Sequence, residues 1–362
     1  MIYAINLIFS IACTYSFSRY YPSYNKNKFF TYFLFLFPMW VIWLIICGGQ
    51  DAVGTDYTTY YSIFKTQDVT LYYKKLEFIF AYVVEICGFL ELDPQTPFYI
   101  FYFIGALFFI KILTKLQHES IFIFIILYIC ISTVFNNQLN GLRQYIALYL
   151  CTYALMVLPE AKGVQKFLIY IILAAFIHSS SFLLLPLVIL RFYPNITFKG
   201  ALILLIFSII FGALGGYSII IAHLSFLIPT HYQHYIGGTF DIGYGISKTI
   251  TKLIFIPFYF YSLYLLKDKK LDCYNLYLYK IGLIGYSIRV MFLNNLIFNR
   301  IGNTFLLISM LPLYFLLRDL YINQKYIKFI LITTFFITFY LSKVLLFPTQ
   351  EYLYKSIYLT NV

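Results

Sequence analysis

Residues 120–158 read SIFIFIILYICISTVFNNQLNGLRQYIALYLCTYALMVL, and this stretch decides the fold. Two apolar runs, 120–135 and 141–158, each approach the length that crosses a bilayer as a helix, about 20 residues. One polar knot separates them, Asn136-Asn137-Gln138-Leu139-Asn140. Arg143 is the single charged residue in the whole stretch. A helix apolar all round is buried in a large core or in lipid.

Outward from there the same grammar repeats. Further candidate spans lie at 1–18, 29–47, 98–115, 200–222, 249–266, 276–293, 303–317 and 329–346. Two stretches are awkward. Residues 77–90 are short for a span and carry Glu77 and Glu85, and 167–190 is broken by His178-Ser179-Ser180-Ser181 and by Pro186. The expected fold class is all-α, a polytopic transmembrane helical bundle. It would have about 10–12 membrane segments, one or two of them broken or re-entrant. Broken helices at membrane depth are tolerated only where they are buried in protein or line a cavity. Residues 1–362 are read as a single integral membrane domain, with its largest external loops at 48–76 and 223–248.

Composition agrees. The chain is 62% hydrophobic and 11% charged, against about 25% charged in soluble domains. Mean hydropathy is +0.81. In a membrane protein a net charge of +12 speaks first to orientation, since Lys and Arg collect in cytoplasmic loops. Nucleic acid is not an expected partner. The six cysteines form no CxxC pair and read as core or lipid-facing residues. The first apolar run lacks the basic n-region of a signal peptide, and Arg19 follows it. A retained first helix with its N-terminus outside is expected.

Placing Arg19, Lys26 and Lys28 inside puts 48–76 outside, with Asp51, Asp56 and Asp68. Segment 77–90 then dips in without crossing. Lys111, Lys115, Lys162 and Lys166 fall inside, and the knot at 136–140 falls outside. If 167–190 is a hairpin of two half-helices, Arg191 and Lys199 return inside. If it is a full span, they lie outside. No GxxxxGK[ST] motif is present, so the chain is not an ATP-driven pump by itself.

Charge in a bilayer core costs about 2.5–3.5 kcal/mol on insertion scales, so polar clusters at span ends are the informative residues. Gly54-Thr55-Asp56-Tyr57 with Tyr60 marks a loop that carries an acid or binds sugar, or else a turn in which Asp56 caps a short helix. Glu77 opens the short apolar segment. It is either a held carboxylate or an acid favoured by the helix dipole. Asn140, Arg143 and Gln144 stand at the start of a span. There the N-terminal N–H groups favour anions, and a guanidinium matches phosphate with a bidentate fork. His178 is an ionisable group deep in an apolar run, suited to proton transfer near neutral pH. Arg300, at the outer start of a span, and Arg289 could join Arg143 on one pyrophosphate. Pairing of Arg289 with Glu77 or Glu85 is the alternative. Loop 223–248 carries His231-x-x-His234 and Tyr235. Two ligands do not make a metal site, so an aromatic loop over a cavity is the expectation there.

In this order, Gly54-Thr55-Asp56-x-x-x-Tyr60, Glu77, Asn140-x-x-Arg143-Gln144-x-x-Ala147, Ile177-His178-Ser179 and Arg300 resemble the EpsG family of Wzy-type polymerases of bacterial surface polysaccharide. The resemblance spans about 50–305. It implies a multi-pass protein of the inner membrane that works on its periplasmic side. Its substrate would be undecaprenyl-pyrophosphate-linked oligosaccharide. The growing glycan would pass from its lipid carrier to the non-reducing end of a newly flipped repeat unit. By the resemblance Asp56, Glu77, Arg143, His178 and Arg300 are the site. His178, Asp56 and Glu77 are the catalytic candidates, and Arg143, Arg300 and Arg289 the pyrophosphate-binding ones. Gln144, Asn140, Tyr60 and Tyr235 are candidates for substrate contact. No cofactor and no metal is expected. Membrane lipids are partners, and an association with a chain-length regulator stays open.

The residues fit this chemistry in their own right. Departure of a lipid pyrophosphate develops negative charge, which arginines placed in a water-poor cavity stabilise. The acceptor hydroxyl loses a proton to His178, Asp56 or Glu77. Inverting and retaining transfer both stay open. A lipid-linked oligosaccharide flippase is one rival, but it predicts pseudo-symmetric halves and none is visible. An O-antigen ligase is the other, sharing the donor but not the acceptor.

Overall fold

The computed structural model describes residues 1–21, 27–192, 197–216, 253–267, 271–292, 302–348 and 350–358. The fold is all-α, that of a helical membrane protein, and no strand occurs among the described residues. Thr96–Leu113 and Tyr326–Leu346 are long and apolar enough to cross a membrane. Lys28–Phe35 and Phe37–Gly48 together make a third such segment, bent by 67°. Among the described residues, seven other apolar helices run 10–17 residues.

The described residues divide into two compact units, 1–188 with 320–362, and 189–319. The first holds α1 (Ile2–Tyr20), α2 (Lys28–Phe35), α3 (Phe37–Gly48), α4 (Tyr57–Thr66), α5 (Thr70–Lys74), α6 (Phe78–Phe89) and α7 (Thr96–Leu113). It continues with α8 (Ile121–Leu127), α9 (Val134–Asn137), α10 (Leu142–Val157) and α11 (Gly163–Ile177).

The sequence predicts one unbroken span over 29–47, and the structure corrects this. Leu36 N–H closes α2 on Tyr32 O at 3.1 Å, and Pro38 stands in the first turn of α3. Proline has no N–H to return to the preceding turn, so a continuous helix would lose a bond there. The candidate span at 303–317 is likewise shifted, its helix running over Leu311–Ile322 after a 3-10 turn at Ile308–Met310, whereas the breaks expected at 136–140 and at His178 are present. The run after α8 passes through a π-helical turn, Tyr128–Ser132, and breaks at Thr133, whose φ is +54°. The knot at 136–140 then turns the chain into α10. Segment 167–190 breaks at His178, whose backbone is extended, and continues as a 3-10 helix over Ser179–Arg191.

The core of this unit is aromatic. Trp43 of α3 stacks on Tyr128 at 5.2 Å, and Phe109 of α7 meets the same tyrosine at 4.4 Å. Such pairs contribute about 0.5–1.5 kcal/mol beyond their area. Some of the polar atoms that this packing buries find partners within it. Trp43 Nε1 donates to Ser10 Oγ of α1 at 2.9 Å, and Tyr149 of α10 donates to Gln138 at 2.7 Å. The C-terminal residues fold back on the turn after α3. Asp51 N–H donates to Lys355 O and Ile357 N–H to Gly49 O, both at 3.0 Å, and Tyr354 OH donates to Ile46 O at 2.9 Å.

The second unit includes α12 (Phe198–Ala213), α13 (Ile256–Leu266) and α14 (Cys273–Met291). Here α12 packs on α14, and Gly212 makes this possible: a Cβ there would sit 2.3 Å from Val290 O. Small residues let helix backbones approach closely in lipid.

Candidate active site

Helices α10 and α11 are joined by a five-residue connection, 158–162, so they run antiparallel as neighbours. The start of α10 and the end of α11 therefore share one end of the pair. Arg143 stands in the first turn of α10, and His178 is the residue that ends α11. The start of α6 comes to the same place with Glu77, which precedes its first helical residue.

These three residues meet. Arg143 Nη1 donates to Glu77 Oε2 in a short ion pair. His178 Nδ1 stands 3.3 Å from Glu77 Oε1. The same oxygen accepts the backbone N–H of Ser179 at 3.0 Å and its hydroxyl at 3.2 Å. Glu77 is 1% exposed, so both of its oxygens are spent inside the protein. A buried carboxylate must be paired and hydrogen-bonded to persist. Glu77 precedes α6 but makes no side-chain cap bond to that helix.

Rings cradle the guanidinium. Tyr72 lies 4.6 Å from Arg143 Cζ, Phe80 5.1 Å and Tyr60 5.6 Å, and Tyr60 OH accepts from Arg143 Nε at 3.4 Å. These contacts are worth about 0.5–2 kcal/mol each, more when desolvated. An arginine has five N–H donors, and Glu77 and Tyr60 engage two of its nitrogens.

A second knot lies one turn away on each helix. Asn140 Oδ1 accepts from Thr55 N–H at 2.7 Å, from Asp56 N–H at 2.8 Å and from the Thr55 hydroxyl at 3.3 Å. Gly54 is required by this docking. Its φ is +74°, and a Cβ would sit 2.5 Å from Asn140 Oδ1. The Asp56 side chain does not cap α4, although Asp56 precedes that helix. Its carboxylate is exposed and accepts the Thr55 hydroxyl at 3.3 Å. Tyr60 N–H bonds to Asp56 O at 3.0 Å, which ties this knot to the arginine cradle through one turn of α4. Tyr57 OH donates to Gln95, whose amide donates to Gly48 O and Gln50 O, and so fixes α4 from below.

Of the residues expected from the sequence, the structure brings together Glu77, Arg143, His178 and Tyr60, with Asp56 and Asn140 adjoining. Gln144 is half-buried beside Arg143. Asn140 spends its side-chain oxygen on the loop, as an anchor. Arg289 belongs to the second unit, where its Nη1 donates to Ser309 Oγ at 2.8 Å. Glu77 and Glu85, its expected alternative partners, are engaged by Arg143 and by the Tyr73 hydroxyl (2.6 Å). Arg300 and Tyr235 lie outside the described residues, as does loop 223–248. Tyr72, Phe80 and Ser179 were missed as site residues. Phe80 had a signal, being three residues after Glu77 on one helix face.

At the other end of the α10–α11 pair the charge is basic. Lys115 and Lys166 both pair with Glu160, and Lys111 lies among the rings of Phe108, Tyr153 and Tyr170 at 5.1–5.6 Å. Burial disfavours the charged form of Glu160, but the two lysines outweigh it and hold the carboxyl below its ordinary value.

A family model described as EpsG family matches residues 34–356. No curated protein and no solved structure matches the chain.

Proposed function

Because the chain belongs to the EpsG family, we propose that it is the polymerase of a surface polysaccharide. In this reading it transfers the growing glycan from undecaprenyl pyrophosphate to the non-reducing end of a lipid-linked repeat unit. The observation that carries the reading is the Arg143–Glu77–His178 cluster, drawn from three helices to one end of the bundle. Ionisable side chains inside a membrane domain point to function by default, and here three of them converge at a helix break.

The roles follow from the contacts. Arg143 stands ready beside a helix N-terminus, where an anion is favoured twice, and takes the leaving pyrophosphate. Glu77 faces His178 Nδ1, which sets the ring's tautomer so that Nε2 is the proton acceptor. His178 then takes the proton of the acceptor hydroxyl. Asp56, exposed at the rim on a loop fixed by Asn140, receives hydroxyls of the sugar. The lysines at the far end of the α10–α11 pair support the orientation. Basic ends face the cytoplasm, which turns the cluster to the periplasm.

The test is deletion of the gene in its own host, with the surface polysaccharide run on a gel. A ladder collapsed to one repeat unit on its normal acceptor is the expected result. Loss of all surface units with lipid-linked single units held inside would make the protein a flippase, and long unattached chains would make it a ligase.

A further inference from the structure

The basic end of the α10–α11 pair holds more cation than it neutralises. Lys115 and Lys166 share one carboxylate, Glu160, which takes Lys166 on Oε2 at 2.8 Å and Lys115 on Oε1. Lys111, in the last turn of α7, makes no ion pair among the described residues. It is held in place all the same. Its Nζ lies 5.1 Å from the ring centre of Phe108, 5.3 Å from that of Tyr170 and 5.6 Å from that of Tyr153, and it donates to the Tyr170 hydroxyl at 3.4 Å. Lys115 Nζ lies 5.7 Å from the same Tyr153 ring. Two lysines four residues apart repel each other, and here one ring gathers both. A lysine that only seeks water extends its head away from apolar surface. Rings from α7, α10 and α11 instead fix this ammonium without supplying negative charge. It has three N–H donors, and one hydroxyl takes one of them.

The surroundings point to an occupant. Lys111, Lys115 and the three rings are each half-buried, so the cluster has an open side. One turn along α11 from Lys166 stands Ile169, 57% exposed, and one turn further Ile172, 41% exposed. Helix α7 is long and apolar enough to cross a membrane, which brings its last turn to the headgroup level. Tyrosines are at home at that level. A phosphate joined to long apolar chains matches an excess of cation bordered by exposed isoleucines. A soluble phosphate matches only the cation.

We propose that this cluster binds an anionic phospholipid, with its phosphodiester among Lys111, Lys115 and Lys166 and its acyl chains along Ile169 and Ile172. Basic pockets between spanning helices take anionic headgroups by the same attraction. The inference goes beyond the polymerase reading and does not depend on it. Helices α10 and α11 carry Arg143 and His178 at their other ends, so the bound lipid braces the pair that holds the candidate site.

The experiment titrates the full-length protein, purified in a neutral detergent, with phosphatidylglycerol or with phosphatidylcholine of the same chains, and reads the midpoint of thermal unfolding. A saturable rise with phosphatidylglycerol is expected, and none of that size with phosphatidylcholine or with inorganic phosphate. An equal rise with phosphatidylcholine means that charge is not recognised, and an equal rise with inorganic phosphate assigns the cluster to a soluble anion. Either result overturns the proposal. Lys111→Gln is expected to raise the half-saturating phosphatidylglycerol about five-fold or more. Lys65→Gln, which removes the same charge from an exposed position on α4, should leave it unchanged. Equal effects of the two substitutions overturn the proposal. If Lys111→Gln does not fold, phosphatidylglycerol with a photoreactive headgroup decides on the wild type. Cross-links within 105–117 and 158–172 are expected, and cross-links confined to other segments overturn the proposal.

Discussion

Replacing Arg143 by alanine should cost about 3–5 kcal/mol of stability, because it leaves a buried carboxylate without its cation. The structure sets the scale. Glu77 is 1% exposed and the Arg143 side chain 15%, so solvent screens the pair little. Loss of the Tyr72 and Phe80 ring contacts adds about 0.5–2 kcal/mol each. Arg143→Lys keeps the charge but not the planar fork, and should fall between. The double variant Arg143→Met/Glu77→Gln removes both charges at similar volume and should recover most of the loss. The assay is unfolding of the detergent-solubilised protein, with a double-mutant cycle across the pair. An Arg143→Ala cost below about 1 kcal/mol, or a double variant no better than the sum of the singles, would refute the reasoning.

Three further outcomes follow from other contacts. Gly54→Ala should release the Asp56 loop, at about 1–2 kcal/mol for the positive φ alone, and Asn140→Ala should match its phenotype; shortened polymer in both, with normal protein level, checks it. Removing residues 350–362 deletes the bonds from Lys355, Ile357 and Tyr354 to the turn after α3. Faster proteolysis within 46–56 is the expected result. The Glu160 carboxyl is held below its ordinary value, so its contribution to stability is present above that value and is lost as pH falls through the folded one. Glu160→Gln should flatten that acid limb of the stability curve, read by thermal unfolding between about pH 3 and 7.

Much of the site was legible because membranes make charge expensive. Glu77, Arg143 and His178 each interrupt or border an apolar run, and nothing but pairing or function keeps them there. Their mutual partners were not legible. Arg143 is 66 residues from Glu77, and Ser179 is 102 away, distances that no periodicity spans. The same holds for Asn140, which reads locally as a helix cap. It proves to be a clamp on Thr55 and Asp56, 85 and 84 residues back. Glycine at 54 had a visible conformational meaning, but its close approach to Asn140 had none. The bend at Leu36 has its sequence mark in Pro38, but the uniformly apolar run on both sides of it reads as one span. The aromatic cradle was hidden by abundance. In a chain with 38 tyrosines and 40 phenylalanines, Tyr72 and Phe80 carry no individual mark.

The central claim is that this membrane bundle joins lipid-linked repeat units at the Arg143–Glu77–His178 cluster. The most direct measurement gives the purified protein in vesicles nothing but single lipid-linked repeat units and follows the products by gel. The expected result is a ladder of multiples from the wild type, and single units alone from His178→Ala and Arg143→Ala variants of normal abundance. A ladder of undiminished length from either variant would contradict it.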